Sequence, residues 1–190
     1  MHRNRYSLLA PLILGLLLAA CSRSAPPAAA ESEPKAVENA ELGLEVAPLP
    51  AGIEVAENRG DLLSFDAVSD GVPGTLTVTV APPDPAGVDL VAVVKKYGAD
   101  AAAAAGGKFF GGNEMVVPSG SAYTARALVA GGTVEERRVF LLHPGGGDRL
   151  VTITLRYPPG DVGASRGRMQ QTMDFLSALK ALPPRDAANP

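Results

Sequence analysis

Ser165 lies in Gly163-Ala164-Ser165-Arg166-Gly167, a spacing that can present a serine as a nucleophile. That chemistry needs the serine on a sharp strand-to-helix turn, with a histidine base in reach. The preceding strand pattern ends near Tyr157, several residues too early, and no histidine follows Ser165. The segment is better explained as the small-residue first turn of a helix. Ser32-Glu33-Pro34-Lys35 and Ser177-Ala178-Leu179-Lys180 have the spacing in which a lysine activates a serine for acyl transfer. The first falls in a stretch with no apolar period. The second falls at an expected helix end, where Lys180 would offset the C-terminal dipole. No K-T-G element completes such a site, and Ser69-Asp70-Gly71 reads as a turn.

His143 is the only histidine beyond the first twenty residues. A metal site needs several ligands converging, and here only Asp148 sits across the same turn. A turn-edge histidine contacting backbone or solvent is the expectation. Gly145-Gly146-Gly147 lacks the spacing of a dinucleotide loop, and Gly107-Lys108 is followed by Phe109 rather than Ser or Thr. No cofactor, metal site or catalytic set is expected, and the chain is read as non-enzymatic.

Two stretches are the candidates for binding. Glu135-Glu136-Arg137-Arg138 interrupts a strand that becomes apolar at Val139. Alternation puts Glu135 and Arg137 on one face and Glu136 and Arg138 on the other. The stretch is either a recognition edge, a dry charged pair, or a strand end projecting past the core. Phe109 and Phe110 beside Gly111-Gly112 form the second candidate, with core packing as the alternative.

The elements that position these residues follow from periodicity. Strands are expected near 53–57, 62–68 and 75–80, then a helix over 89–105 with Asp89 as N-cap. Leu90, Val91, Val94, Tyr97 and Ala101 share the buried face of that helix. Four more strands are expected near 108–117, 121–129, 134–143 and 149–157, with Val151, Ile153, Leu155 and Tyr157 facing the core. Ser69–Gly74, Ser119-Gly120 and Gly131-Gly132 supply turns, the last a two-residue hairpin. A final helix over 162–182 would bury Met169, Thr172, Met173, Leu176 and Leu179, with Phe175 at its margin and Pro183-Pro184 as its stop. The order is βββαββββα: one α+β domain over 44–182, with a largely antiparallel sheet of about seven strands and two helices. Residues 183–190 read as a loose tail.

The N-terminal region has a different logic. His2, Arg3 and Arg5 precede an apolar run from Leu8 to Ala20, too short to span a bilayer. Charge, apolar run and small residues in that order suit a secretory signal. Leu18-Ala19-Ala20-Cys21 resembles the lipobox of bacterial lipoprotein precursors. The resemblance implies cleavage of residues 1–20, acylation of Cys21, and a membrane partner reached through that lipid. Cys21 is the only cysteine, so no disulfide forms within the chain. Ser22 in place of aspartate favours the outer membrane, facing the periplasm. Residues 21–43, rich in Ala, Pro, Glu and Ser, read as a disordered tether.

The chain has 17 Lys and Arg against 20 Asp and Glu, and cleavage would remove two of those positive charges, Arg3 and Arg5. That balance argues against nucleic acid as a partner. Tryptophan is absent, which disfavours stacking of sugars or bases. The element order, and the block Asp148-Arg149-Leu150-Val151-Thr152-Ile153-Thr154-Leu155 followed by a helix ending Met173-Asp174-Phe175-Leu176, resemble the PsbP-like group. That group includes DcrB-type bacterial lipoproteins and the Mog family of Ran-binding proteins. The resemblance implies the fold and a non-catalytic binding or assembly role; with the lipobox, the tether and the absence of a catalytic set, an envelope protein is the expected partner. The alternative is a small-ligand carrier with its pocket between sheet and helices.

Overall fold

The computed structural model describes residues 35–183. Cys21, the signal segment, most of the expected tether and residues 184–190 lie outside them. The element order is β1 (Val37–Asn39), β2 (Leu44–Val46), β3 (Ile53–Arg59), β4 (Leu62–Ser69), β5 (Val72–Val80) and α1 (Leu90–Ala103). It continues with β6 (Lys108–Val117), β7 (Gly120–Val129), β8 (Val134–Leu142), β9 (Leu150–Tyr157), α2 (Val162–Ala178) and β10 (Leu179–Ala181).

Seven strands form one antiparallel sheet in the order β3-β4-β5-β9-β8-β7-β6. These are the seven strands that the alternation predicts. The two helices lie on opposite faces, and β8 shows why. Phe140 packs with Val94, Tyr97 and Ala101 of α1, together with Ala125 and Ala127. Its neighbours Val139 and Leu141 point the other way, into a core with Val151, Ile153, Leu155 and α2's Phe175 and Leu176. Phe175 is fully buried and meets Phe65 edge-on at 5.3 Å. Burying such a ring contributes about 1.5–3 kcal/mol.

Four expectations need correction. Part of the expected tether is folded: Val37, Asn39 and Leu42 are buried. β1 pairs with β2, and the Asn39 side chain accepts from the Leu42 N–H at 2.9 Å. The last helix stops at Ala178, because Leu179 pairs with Val46 and continues the chain as β10 beside β2. Lys180 is therefore a strand residue, and Pro183-Pro184 is not what ends the helix. The buried stripe of α2 is Arg168, Gln171, Thr172, Phe175, Leu176 and Ala178, so Phe175 is central and the methionines are marginal. On α1, Asp89 caps as expected, accepting from Val91 and Ala92, but Val91 is exposed.

The turns shift slightly. Asp70 and Gly71, both at positive φ, make the two-residue turn between β4 and β5, and Pro73 and Gly74 belong to β5. Pro118-Ser119 joins β6 to β7. The β7–β8 connection is a four-residue loop, Ala130 to Thr133, rather than a two-residue hairpin.

Candidate functional site

The charged interruption of β8 is neither a projecting strand end nor an exposed edge. Glu135 is 3% exposed, Glu136 1% and Arg137 7%. The expected alternation holds, and each face carries its own ion cluster.

On the α1 face Glu136 accepts from Arg138 and Arg156, both at 2.7 Å, and from the Tyr97 hydroxyl at 3.1 Å. Arg138 also lies over the Tyr97 ring at 4.5 Å. Burial pushes the Glu136 carboxyl up, but the bonds and charges of Arg156 and Arg138 outweigh it, and its pKa sits below the ordinary value. Burial and the Glu136 carboxylate raise the Tyr97 phenol, which therefore stays protonated and donates. Two cations and one phenol satisfy one carboxylate here.

On the α2 face the arithmetic differs. Glu135 accepts from Arg126 at 3.1 Å and from Arg168 at 3.0 Å. Arg137 is directly opposite Arg126 across β7 and β8. Its guanidinium reaches only the Ser165 hydroxyl, at 3.2 Å, and the Met169 sulfur, at 3.3 Å. Among the described residues no carboxylate pairs with Arg137, and its Nε has no hydrogen-bond partner. Burial, with Arg126 and Arg168 nearby, holds its pKa below the usual arginine value despite the opposing effect of Glu135.

This side opens as a cleft of about 590 Å³ between the first turns of α2 and the β6–β7–β8 end of the sheet. Gly111, Asn113, Thr124, Arg126 and Arg137 line its floor, and Val162, Ser165 and Arg166 its wall. Thr124 Oγ1 and Arg168 Nε are two more buried polar atoms without a partner among the described residues. Phe109 and Phe110 separate: Phe109 packs edge-on to Tyr97 at 6.1 Å, while Phe110 stands at the cleft, 42% exposed. Lys108 and Arg126 lie over the Phe110 ring at 5.1 and 4.6 Å.

The remaining candidates take structural places. Ser165 lies in the first turn of α2 and accepts from Arg137. His143 is buried; its Nδ1 accepts from the Gly145 N–H at 3.0 Å, so Nε2 donates to the Leu42 carbonyl at 2.9 Å. Sequence reasoning missed Arg126, Arg156, Arg168 and Tyr97 as members of these clusters. A signal existed for two of them. Arg126 shares its strand face with Ala122 and Thr124, and Arg168 shares its helix face with Thr172 and Phe175.

No family model and no curated protein sequence matches the chain. The architecture is the PsbP-like α+β fold. The chain superimposes on the Ran-binding protein Mog1p of Saccharomyces cerevisiae with a TM-score of 0.54 at 13% identity, covering 78% of this chain and 95% of that one. A Mog1 point mutant gives 0.56 at 14%, covering 81% and 98%. The cyanobacterial PsbP of Synechocystis sp. PCC 6803 gives 0.51 at 11%, covering 82% and 98%. At these identities the likeness carries the fold alone.

Proposed function

We propose that this protein is a lipid-anchored component of a bacterial cell envelope whose PsbP-like domain binds a partner and carries out no chemistry. The lipobox-like Leu18-Ala19-Ala20-Cys21 supports the anchor, with Ser22 favouring the outer membrane. The observation that carries the binding reading is the end of the sheet at β6. It is an edge strand, it presents Phe110 and the 82%-exposed Val116, and it borders the arginine-lined cleft. An exposed aromatic with an arginine stacked over it is the composition of a protein-binding hot spot. The accessory partner is an envelope protein.

The test has two parts. Mass spectrometry of the mature N-terminal peptide is expected to show diacylglyceryl-Cys21 as the first residue; an uncut or unmodified peptide would remove the anchor. A photo-crosslinking amino acid at Phe110, in the full chain in cells, is expected to capture one dominant envelope protein, lost with Cys21→Ser. A diffuse pattern unchanged by Cys21→Ser would end the assembly reading.

A second reading, small-ligand carriage, is favoured by one specific observation: Arg137 is a buried cation with no carboxylate bonded to it among the described residues, at the floor of an open cleft.

A further inference from the structure

Burying a charge is costly unless it is paired. Around Glu135 lie Arg126, Arg137 and Arg168, three cations for one carboxylate. Like charges directly opposite across two strands are destabilising, yet Arg126 and Arg137 are in register. The other face of the same strands shows that this chain can satisfy such groups: there Glu136 meets two partly exposed arginines that reach solvent. The excess of two positive charges on the α2 face is therefore a property of that face. At the rim Asp161 and Arg166 add one charge of each sign, with no ion pair between them. Asp161 also caps α2, accepting from the Ala164 N–H at 2.9 Å, so the helix terminus is already served. Among the described residues, the cation of this cluster that has no carboxylate bonded to it is Arg137.

We propose that the cleft binds a phosphate-class oxyanion, seated against Arg137 and flanked by Arg126, Arg166 and the Ser165 hydroxyl. The inference rests on the small-ligand reading of the cleft and is independent of the lipid anchor. A phosphate monoester carries about −1.5 to −2 charges near neutral pH, which matches the excess. Only two contacts engage the guanidinium of Arg137, to a sulfur and a hydroxyl. Its planar set of donors suits an oxyanion. Ser165 accepts from Arg137, which leaves the hydroxyl hydrogen to donate to the ligand. The phosphate could be borne by a soluble molecule or by a lipid headgroup; the chemistry at Arg137 is the same.

The first measurement is thermal unfolding of the full chain in detergent, titrated with inorganic phosphate against sodium chloride at matched ionic strength. The midpoint is expected to rise and saturate with phosphate only, as for any ligand bound by the native state. Arg137→Met is expected to weaken the apparent affinity at least about tenfold, the fold-change from losing a charge-assisted hydrogen bond. Ser165→Asp puts a carboxylate beside Arg137. It is expected to raise the midpoint without phosphate and to abolish the response, and it decides the matter even if Arg137→Met fails to fold. A phosphate response no larger than that of chloride overturns the proposal. So does a rise that persists undiminished in both variants, which is the general stabilising action of the salt.

Vesicles then separate the sources. The Cys21→Ser chain is mixed with phosphatidylcholine vesicles with and without phosphatidic acid. Arg137-dependent binding to phosphatidic acid assigns a headgroup; a phosphate response without vesicle binding assigns a soluble ligand. Loss of the phosphate response with Phe110 crosslinking intact would remove this site and leave the assembly reading standing.

Discussion

Glu135 and Glu136 are adjacent in the chain and hold opposite faces of one sheet, Glu135 joined to Arg168 of α2 and Glu136 to Tyr97 of α1. The pair fastens both helices to a single strand, at the depth where β8 changes from charged to apolar residues. Its two halves are not equivalent. Arg168 is almost wholly buried, whereas the side chains of Arg138 and Arg156 are about a third and a half exposed.

Removing each carboxylate charge in turn should expose that asymmetry. Glu135→Gln leaves Arg168 buried beside Arg137 with no anion, and breaking a buried pair in this way costs about 3–5 kcal/mol. Glu136→Gln leaves two arginines that can turn to water, so a cost of about 1–2 kcal/mol is expected. Urea unfolding of the two variants checks the order. Equal losses would mean that Arg168 finds another way to solvent.

Much of this architecture is legible in the residues. Leu76 and Val78, and then Val151, Ile153 and Leu155, alternate so regularly that both central strands and their inward faces follow from period two. The alternation of Glu135 to Arg138 is equally clear. Their burial is not, because Tyr97 and Arg168, 39 and 33 residues away in sequence, are brought over them by helices on opposite faces. The end of α2 is hidden for a similar reason. Ser177-Ala178-Leu179-Lys180 is compatible with helix, and only the distant Val46, offering a free strand edge, makes Leu179 extended. Val37 and Leu42 are too sparse among Glu, Asn and Ala to show a period, although both are buried.

The folded start of the domain gives a direct test at Leu42. A tether residue cut to alanine would change stability by less than about 0.5 kcal/mol. Leu42 belongs to the main core beside Leu44 and Val46. Leu42→Ala is therefore expected to cost about 2–5 kcal/mol, the range for a buried leucine. Chemical denaturation measures it, and a neutral result would detach β1 and β2 from the cooperative unit.

Gly74 offers a test in which simple propensity predicts the opposite sign. It lies inside β5, where alanine would ordinarily be the better strand residue. Here an added Cβ would fall against the Tyr157 ring and within 2.6 Å of the Arg156 carbonyl oxygen. Tyr157 cannot easily yield, since its hydroxyl bonds to Gln171 and Arg168 stacks over its ring. Gly74→Ala is expected to destabilise by about 1–3 kcal/mol, as overpacking does. A gain in the unfolding midpoint would show that β5 and β9 can part at little cost.

His143 predicts how stability depends on pH. Burial lowers its pKa from the ordinary 6.5, the bond to Leu42 opposes this, and Arg149 adds to the lowering. The neutral ring is the form the fold uses, with Nδ1 accepting from Gly145. Below pH 6.5 the unfolded chain therefore binds a proton that the native state resists. The histidine's contribution is complete above that value and is lost as pH falls through the lower native pKa. Glu136, also lowered, adds its own loss further down, below the ordinary carboxylate value of 4.5. His143→Gln keeps an amide donor for the Leu42 carbonyl and cannot titrate. It should flatten the stability curve just below pH 6.5 while leaving the deeper acid loss in place, as read by urea midpoints from about pH 2 to 8. A slope below pH 6.5 that survives in His143→Gln would assign the titration to another group and leave His143 a packing residue.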